Sequence, residues 1–273
     1  MESPGPKPVA LITGASSGIG RATAEAFAQR GYAVALVARR AERLEEVAQA
    51  CRQAGGEPFV LPADVVRRDQ VEQAIARTIE RFGRLDVMVN NAGYGVFASV
   101  MELDEQELRR VFDVNFFGLW YGTVAAARVM VPQRSGHIFN VSSIIGKRGT
   151  PFHGAYCATK FAVCGLSESA RVELRPYGVH VTVVCPAMTR TEFFSQGSMA
   201  RRAGRAFSRF SRTMAPEPIG QAIARTAGRR KPELVFTLGG KFLALISALS
   251  PRVADGMMEM YRRELLKEME EVT

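Results

Sequence analysis

The run Val9-Ala10-Leu11-Ile12-Thr13-Gly14-Ala15-Ser16-Ser17-Gly18-Ile19-Gly20 constrains the fold more than any other part of this chain. An apolar segment, a glycine-rich turn and a helical pattern from Arg21 to about Arg30, stopped at Gly31, follow one another without a spacer. Strand, turn and helix start in that order build a cradle for a pyrophosphate. Glycines permit the tight turn and a close approach of backbone to ligand, and the helix N-terminus offers free N–H groups and the positive end of its dipole. The spacing is G-x-x-x-G-x-G rather than the commoner G-x-G-x-x-G. Gly14, Ser16, Ser17, Gly18, Ile19 and Gly20 are therefore the expected dinucleotide contacts.

The next strand, Tyr32 to Ala38, ends where a carboxylate would hold the adenosine ribose of NAD. Ala38 stands there instead, followed by Arg39 and Arg40. A guanidinium in place of an acid suits a ribose 2′-phosphate, so NADP(H) is expected in preference to NAD(H), with Arg39 as its contact. A helix over Ala41–Ala54 leads to a strand at Pro58–Pro62 and to Asp64-Val65, placed to meet the adenine. A helix over Arg68–Phe82 and a strand at Leu85–Val89 then run into Asn90-Asn91-Ala92-Gly93. Small residues there let backbone lie against a cofactor, and the asparagine amides can equally tie neighbouring strands. The spacing predicts one long helix from Asp104 to Met130 carrying Asn115. That amide is either a satisfied buried polar group or a bend in the helix that holds a water.

Between Asn140 and Lys160 the chain reads as the end of a buried strand, a break at Gly146, Gly149 and Pro151, and a helix restarting near Ala155. Tyr156 and Lys160 share one helix face a turn apart, and Ser143 lies at the strand's C-terminal end. Hydride transfer at a carbonyl or alcohol needs a proton donor or acceptor at the oxygen. A phenol of pKa about 10 becomes a usable base only when positive charge stabilises the phenolate. Lowering that pKa by roughly 3 units takes about 4 kcal/mol, within reach of a lysine and a cationic nicotinamide in a dry site. The serine hydroxyl can hold the same substrate oxygen.

With 273 residues, 47% apolar and 23% charged, the chain has ample material for a core and is not a disordered tail. Cys51, Cys157, Cys164 and Cys185 show no metal spacing and read as free thiols in a reducing compartment. The scattered histidines argue against zinc, and no metal is expected. No run reaches the ~18 apolar residues expected of a membrane span.

Five ordered motifs resemble the short-chain dehydrogenase/reductase family, in its branch with domains of ~250 residues. They are Thr13-Gly14-x-x-x-Gly18-x-Gly20, Asn90-Asn91-Ala92-Gly93, Asn115, Asn140-Val141-Ser142-Ser143 and Tyr156-x-x-x-Lys160, and the likeness spans roughly Val9 to Thr191. It implies an α/β fold: a Rossmann-type, doubly wound, seven-stranded parallel sheet with helices on both faces. It also implies a catalytic set of Ser143, Tyr156, Lys160 and Asn115. The serine thirteen positions before the tyrosine selects Ser143 over Ser142. Tyr156 would be acid and base, Lys160 would bind the nicotinamide ribose and depress the tyrosine pKa, and Asn115 would hold a relay water. Cys185 to Thr191 is similar to the family's Pro-Gly-x-x-x-Thr segment, with Ala187 replacing the glycine. Pro186, Thr189 and Thr191 are the contacts it implies.

The implied activity is NADP-dependent hydride exchange with a small carbonyl or alcohol substrate, and a non-catalytic NADP-binding scaffold is the alternative. A leader over 1–8, a domain over 9–237 with a substrate lid at 192–216, and a helical extension over 238–273 are expected. The lid region carries Arg201, Arg202, Arg205, Arg209 and Arg212 with no acid from Phe193 to Ala215, and much of the formal charge of +9 gathers there. The tail holds an apolar Lys241–Leu249 and an amphipathic helix opened by Pro251. Lid and tail point to an apolar or lipid-like substrate, and to peripheral membrane contact as one role beside pocket closure and subunit packing. No nucleic acid is expected. A cytoplasmic location and a homodimer or homotetramer are.

Overall fold

The computed structural model describes residues 7–189 and 213–271. Thr191 and the five arginines of the basic segment lie outside the described residues.

Seven parallel strands form one sheet in the order β3-β2-β1-β4-β5-β6-β7. They are β1 (Val9–Thr13), β2 (Ala33–Ala38), β3 (Glu57–Pro62), β4 (Val87–Asn90), β5 (Gly136–Val141), β6 (Val179–Cys185) and β7 (Glu233–Val235). Every residue of β1, β2 and β4 is buried, as expected for strands covered on both faces, and these segments are almost continuously apolar. β3 and the three-residue β7 close the edges.

The helices α1 (Gly18–Ala28) and α2 (Ala41–Gln53) cover one face together with α7 (Pro216–Thr226). Phe27, Leu44, Val47, Ile219 and Ile223 fill that layer. On the other face α3 (Arg68–Phe82), α5 (Gly118–Gln133) and α6 (Gly154–Leu174) contribute Ile75, Ala126, Met130 and Ala170. Strand order reverses direction between β1 and β4. The crevice beyond the carboxyl ends of the strands at that point is where such sheets place ligands.

The expected long helix from Asp104 runs over Glu105–Gln133 and widens midway. α4 (Glu105–Phe112) is capped by Asp104, whose carboxylate accepts from Glu107 N at 3.2 Å. A wide turn over Asp113–Phe117 follows, closed by Gly118 N donating to Asp113 O, and only then does α5 begin. Asn115 sits inside this turn and bends the helix. By length and composition the run Glu105–Gln133 would pass for a membrane span, against the expectation from sequence. Yet 44% of its apolar window is buried in the fold, with Leu119, Ala126 and Met130 turned to the core.

After β7 the chain forms α8 (Leu238–Leu249) and α9 (Pro251–Glu271). Thr237 caps α8 by accepting from Gly240 N at 3.2 Å.

Candidate active site

The glycine-rich turn is built as a cradle. Gly14 has φ +65°, and a Cβ there would stand 2.8 Å from Ala92 Cα. A Cβ on Gly20 would stand 2.2 Å from Gly14 O, so neither position tolerates a side chain. Gly18, Ile19 and Gly20 are the first residues of α1, three positions earlier than the sequence pattern starts the helix. Ser17 forms no side-chain capping bond and the first turn holds no acid. The N–H donors and the dipole of this helix end are thus left for an anion. These features fit the pyrophosphate of a dinucleotide.

Asn91 is primarily a tie. Its Nδ2 donates to Thr13 O (3.0 Å) and Gly14 O (3.3 Å), and its backbone N donates to Thr13 Oγ1 (3.0 Å). Asn90 Nδ2 donates to Asn140 Oδ1 (2.9 Å) and Thr123 Oγ1 (3.1 Å), which joins β4, β5 and α5 inside the core. The ambiguity left by the sequence resolves toward structure for Asn90, whereas Asn91 both ties and lines the cavity. Arg39 lines that cavity as expected. Arg40 does too, with Nη2 donating to Ser16 Oγ at 3.2 Å. The sequence reading named both arginines and chose Arg39 as the contact. Arg40 opens α2, and a capping position swings a long side chain back over the turn.

One cavity of about 500 Å³ gathers the two halves of the site. Gly14, Ser16, Ser17, Gly18, Ile19, Arg39, Asp64, Val65, Asn91, Ala92 and Gly93 line it together with Ser143, Tyr156, Lys160, Pro186 and Thr189. Gly20 and Asn115 stand behind its wall, and Thr191 lies outside the described residues. Asp64 folds onto its own loop, its Oδ1 accepting from Val66 N at 3.2 Å. Thr189 Oγ1 donates to Ala187 O at 2.9 Å, and Thr189 bridges to Met214 across the omitted segment.

Ser143 leaves β5 in extended conformation. Its hydroxyl accepts from Ile145 N at 3.4 Å, and Ser143 lines the same cavity as Tyr156 from across the strand-to-helix break. Lys160, one turn along α6, is 2% exposed, and its Nζ lies 5.6 Å from the Tyr156 ring centre. The ammonium donates to Val141 O at 2.8 Å, which holds it beneath the ring. Burial pushes Lys160 down to about 8. Burial also pushes the Tyr156 phenol well above its usual value, and the Ser143 hydroxyl acts against that rise. The depression of Tyr156 by Lys160 is therefore not built into the chain alone. Lys160 is itself desolvated, which lowers it and leaves it a weaker source of charge for the phenol.

Asn115 is fully buried (0% exposed) and clasps the loop after β4. Its Oδ1 accepts from Tyr94 N and its Nδ2 donates to Tyr94 O, both at 2.9 Å, with a weaker donation to Thr159 Oγ1 at 3.3 Å. Thr159 Oγ1 in turn donates to Tyr156 O at 2.8 Å. The clasp thus links the glycine loop, the bent helix and the tyrosine's own helix.

The far end of the cavity was not legible from the motifs. Tyr94, Ile144, Ile145, Thr150, His153, Met188 and, from α9, Tyr261 line it. His153 Nδ1–H donates to Pro151 O at 3.0 Å, and burial pushes the ring down to about 4, so it is neutral at ordinary pH. Phe152, beside it, is held at φ 64°, a strained conformation for an aromatic residue, and packs on Phe97 at 5.5 Å.

Sheet order, glycine turn and the Ser143–Tyr156–Lys160 cluster define a nucleotide-dependent oxidoreductase. The chain belongs to the short chain dehydrogenase family, whose sequence profile matches residues 8–201. Members of this family bind NAD(P) and act as dehydrogenases or reductases on small molecules. The chain is 35% identical over 254 residues to the uncharacterized oxidoreductase YxnA of Bacillus subtilis (strain 168), covering 92% of this chain and 71% of that protein. Its fold is similar to that of a short chain dehydrogenase/reductase from Burkholderia phymatum in complex with NAD. That likeness has a TM-score of 0.84 and 26% identity, and covers 90% of this chain and 95% of that one. An alcohol dehydrogenase from the archaeon Thermococcus sibiricus, complexed with 5-hydroxy-NADP, matches with TM-score 0.74 and 33% identity over 84% of this chain and 96% of that one.

Proposed function

We propose that this protein is an NADP(H)-dependent oxidoreductase that reduces an apolar carbonyl compound, or oxidises the matching alcohol, with Tyr156 as the acid and base. The observation that carries the reading is the meeting of Ser143, Tyr156 and Lys160 in the cavity that also contains the uncapped helix end and the glycine turn. When bound, the nicotinamide supplies or accepts the hydride. Ser143 and Tyr156 line one cavity, where both hydroxyls can meet one substrate oxygen. In reduction the Tyr156 hydroxyl gives its proton to that oxygen, and the Lys160 ammonium steadies the phenolate left behind. Asn115 keeps the Tyr94 loop and Thr159 in register with Tyr156.

The preference for NADP(H) is supported by Ala38 at the end of β2 and by Arg39 and Arg40 on the cavity wall. An apolar substrate is supported by Ile144, Ile145, Met188 and Tyr261 on the cavity wall, the last two packed on Phe97, Phe152 and Leu265. Association of copies through α5 and α6 is supported by the exposed Phe117, Trp120 and Phe161. Peripheral membrane contact is supported by Leu238, Phe242, Leu245 and Leu249, exposed at helical spacing along α8, which carries no acid.

A fluorescence titration with NADPH and NADH, followed by turnover on a panel of ketones and aldehydes, tests the central reading. Tight NADPH binding with turnover lost in Tyr156→Phe is expected. NADH binding at least as tight as NADPH would remove the role given to the arginines. Turnover retained by Tyr156→Phe would remove the mechanism. Equal sedimentation with anionic liposomes of the full chain and its Phe242→Ser/Leu245→Ser form would remove the membrane contact.

A further inference from the structure

Helix α9 lies beyond the residues that match the family profile, yet its Tyr261 lines the active-site cavity. Ala254, Met258, Tyr261 and Leu265 recur at intervals of four, three and four, a single stripe on a helix. Ala254 is 0% exposed and Leu265 2%, whereas Met260, on the opposite side, is 71% exposed. Tyr261 and Leu265 pack with Phe97, Phe152 and Met188, and Tyr261 lines the same cavity as Ser143 and Tyr156. The helix is also fastened. Arg148, on the segment that follows Ser143, forms an ion pair with Asp255 one turn before the stripe reaches Met258. This pair ties the segment after Ser143 to α9 at one point.

We infer that α9 is the distal wall of the substrate subsite, and that Tyr261 is a specificity-determining residue setting the size of the apolar group the site accepts beside its carbonyl. The inference rests on the reading of the cavity as a carbonyl site and names what that site takes: a ketone or aldehyde with a bulky apolar body. The ring of Tyr261 presents apolar area to that body. Its hydroxyl, pushed up to about 12 by burial, stays a neutral group at working pH. Asp255 and Arg148 are positioning residues for this wall.

The test uses the full-length protein with NADPH and the fluorescent naphthyl ketone prodan as binding probe. It also uses a series of methyl ketones of increasing chain length for turnover. Tyr261→Ala opens the wall, Tyr261→Trp narrows it, Tyr261→Phe keeps the ring, and Met260→Ala alters the outward side of the same helix. Opening the wall should raise the long-to-short ratio of kcat/KM by about tenfold, the scale of small volume changes in an apolar pocket, and tryptophan should lower it. Prodan affinity should follow Tyr261→Ala and Tyr261→Trp in opposite directions and stay within about twofold of the parent in Met260→Ala, with NADPH affinity unchanged in all. If the alanine variant does not fold, the tryptophan variant still decides the direction. Identical selectivity in the Tyr261 variants and Met260→Ala, or no prodan binding by the parent, overturns the inference. Selective prodan binding without turnover on any ketone would instead remove the reductase reading and leave the subsite standing.

Discussion

Asn115→Ala separates two roles that an active-site asparagine can have. In the structure its side chain meets both backbone polar groups of Tyr94, accepting from N and donating to O at 2.9 Å each. Truncation leaves those two groups without partners. An orphaned buried backbone group costs about 1–3 kcal/mol. Tyr94 is only half-buried, so the lower part of that range applies to each. Alanine returns roughly 0.5 kcal/mol of helix propensity over asparagine. The net expectation is a loss of about 1.5–3.5 kcal/mol, which for a chain of this size lowers Tm by roughly 3–14 °C.

Thermal unfolding of the parent and variant at one protein concentration measures this directly. Thr159→Val is the control. It removes only the 3.3 Å contact to Asn115 and the bond to Tyr156 O, and should cost about 1 kcal/mol. A large Tm loss in Asn115→Ala, with NADPH affinity weakened because Gly93 shifts, is the expected pattern. A stability change below about 1 kcal/mol together with a collapse of kcat would refute the clasp and leave a water-holding role as the better account.

Arg39→Ala with Arg40→Ala is expected to weaken NADPH binding by at least about tenfold while leaving NADH within threefold, since each guanidinium bond to a phosphate contributes about 1.5–3 kcal/mol. Fluorescence titration reads both. His137 is held neutral between Thr182 Oγ1 and Gly228 N, and burial pushes it down to about 3. Unfolded, it takes a proton near 6.5, so the unfolded state binds more protons between those values. Stability is therefore present above about pH 6.5 and lost as pH falls toward 3; urea midpoints across that window should fall, and His137→Gln should flatten the fall. Because Lys160 sits at about 8, carbonyl reduction at saturating NADPH should decline as pH rises through that value while the ammonium is lost. A rate that climbs through pH 8 would contradict the role given to Lys160.

The legible parts of the fold are those where local pattern and global role coincide. β1, β2 and β5 are buried on both faces, so their apolar runs read directly as central strands. The glycine turn reads directly because only glycine fits at positions 14 and 20. Tyr156 and Lys160 share one helix face by spacing, whereas the choice of Ser143 over Ser142 came from the family resemblance. The widening at Asp113–Phe117 was not legible, because the helical period continues through it and it is caused by Asn115 bonding a loop twenty-one residues earlier. Arg40 and Asn91 show the same limit: their partners, Ser16 and Thr13, are distant in sequence. The tail was legible as an amphipathic helix with three open roles. Only packing against Phe97, Phe152 and Met188 selects pocket closure for its inner face.

The least intuitive feature of the site is the protonation state it sets up. A tyrosine meant to act as a base is usually thought of as lowered by its lysine, yet here burial raises it, and Lys160 is occupied by the Val141 carbonyl. The free chain therefore holds Tyr156 as a phenol and, near neutral pH, Lys160 largely as an ammonium. That is the pairing reduction requires, a proton to give and a charge to stabilise what remains. Oxidation requires the phenolate, and the chain by itself opposes it. A bound oxidised nicotinamide would supply positive charge near Tyr156, and charges interact more strongly where water is excluded. Under the proposed mechanism the form of the bound cofactor would then select between the acid and base roles of Tyr156.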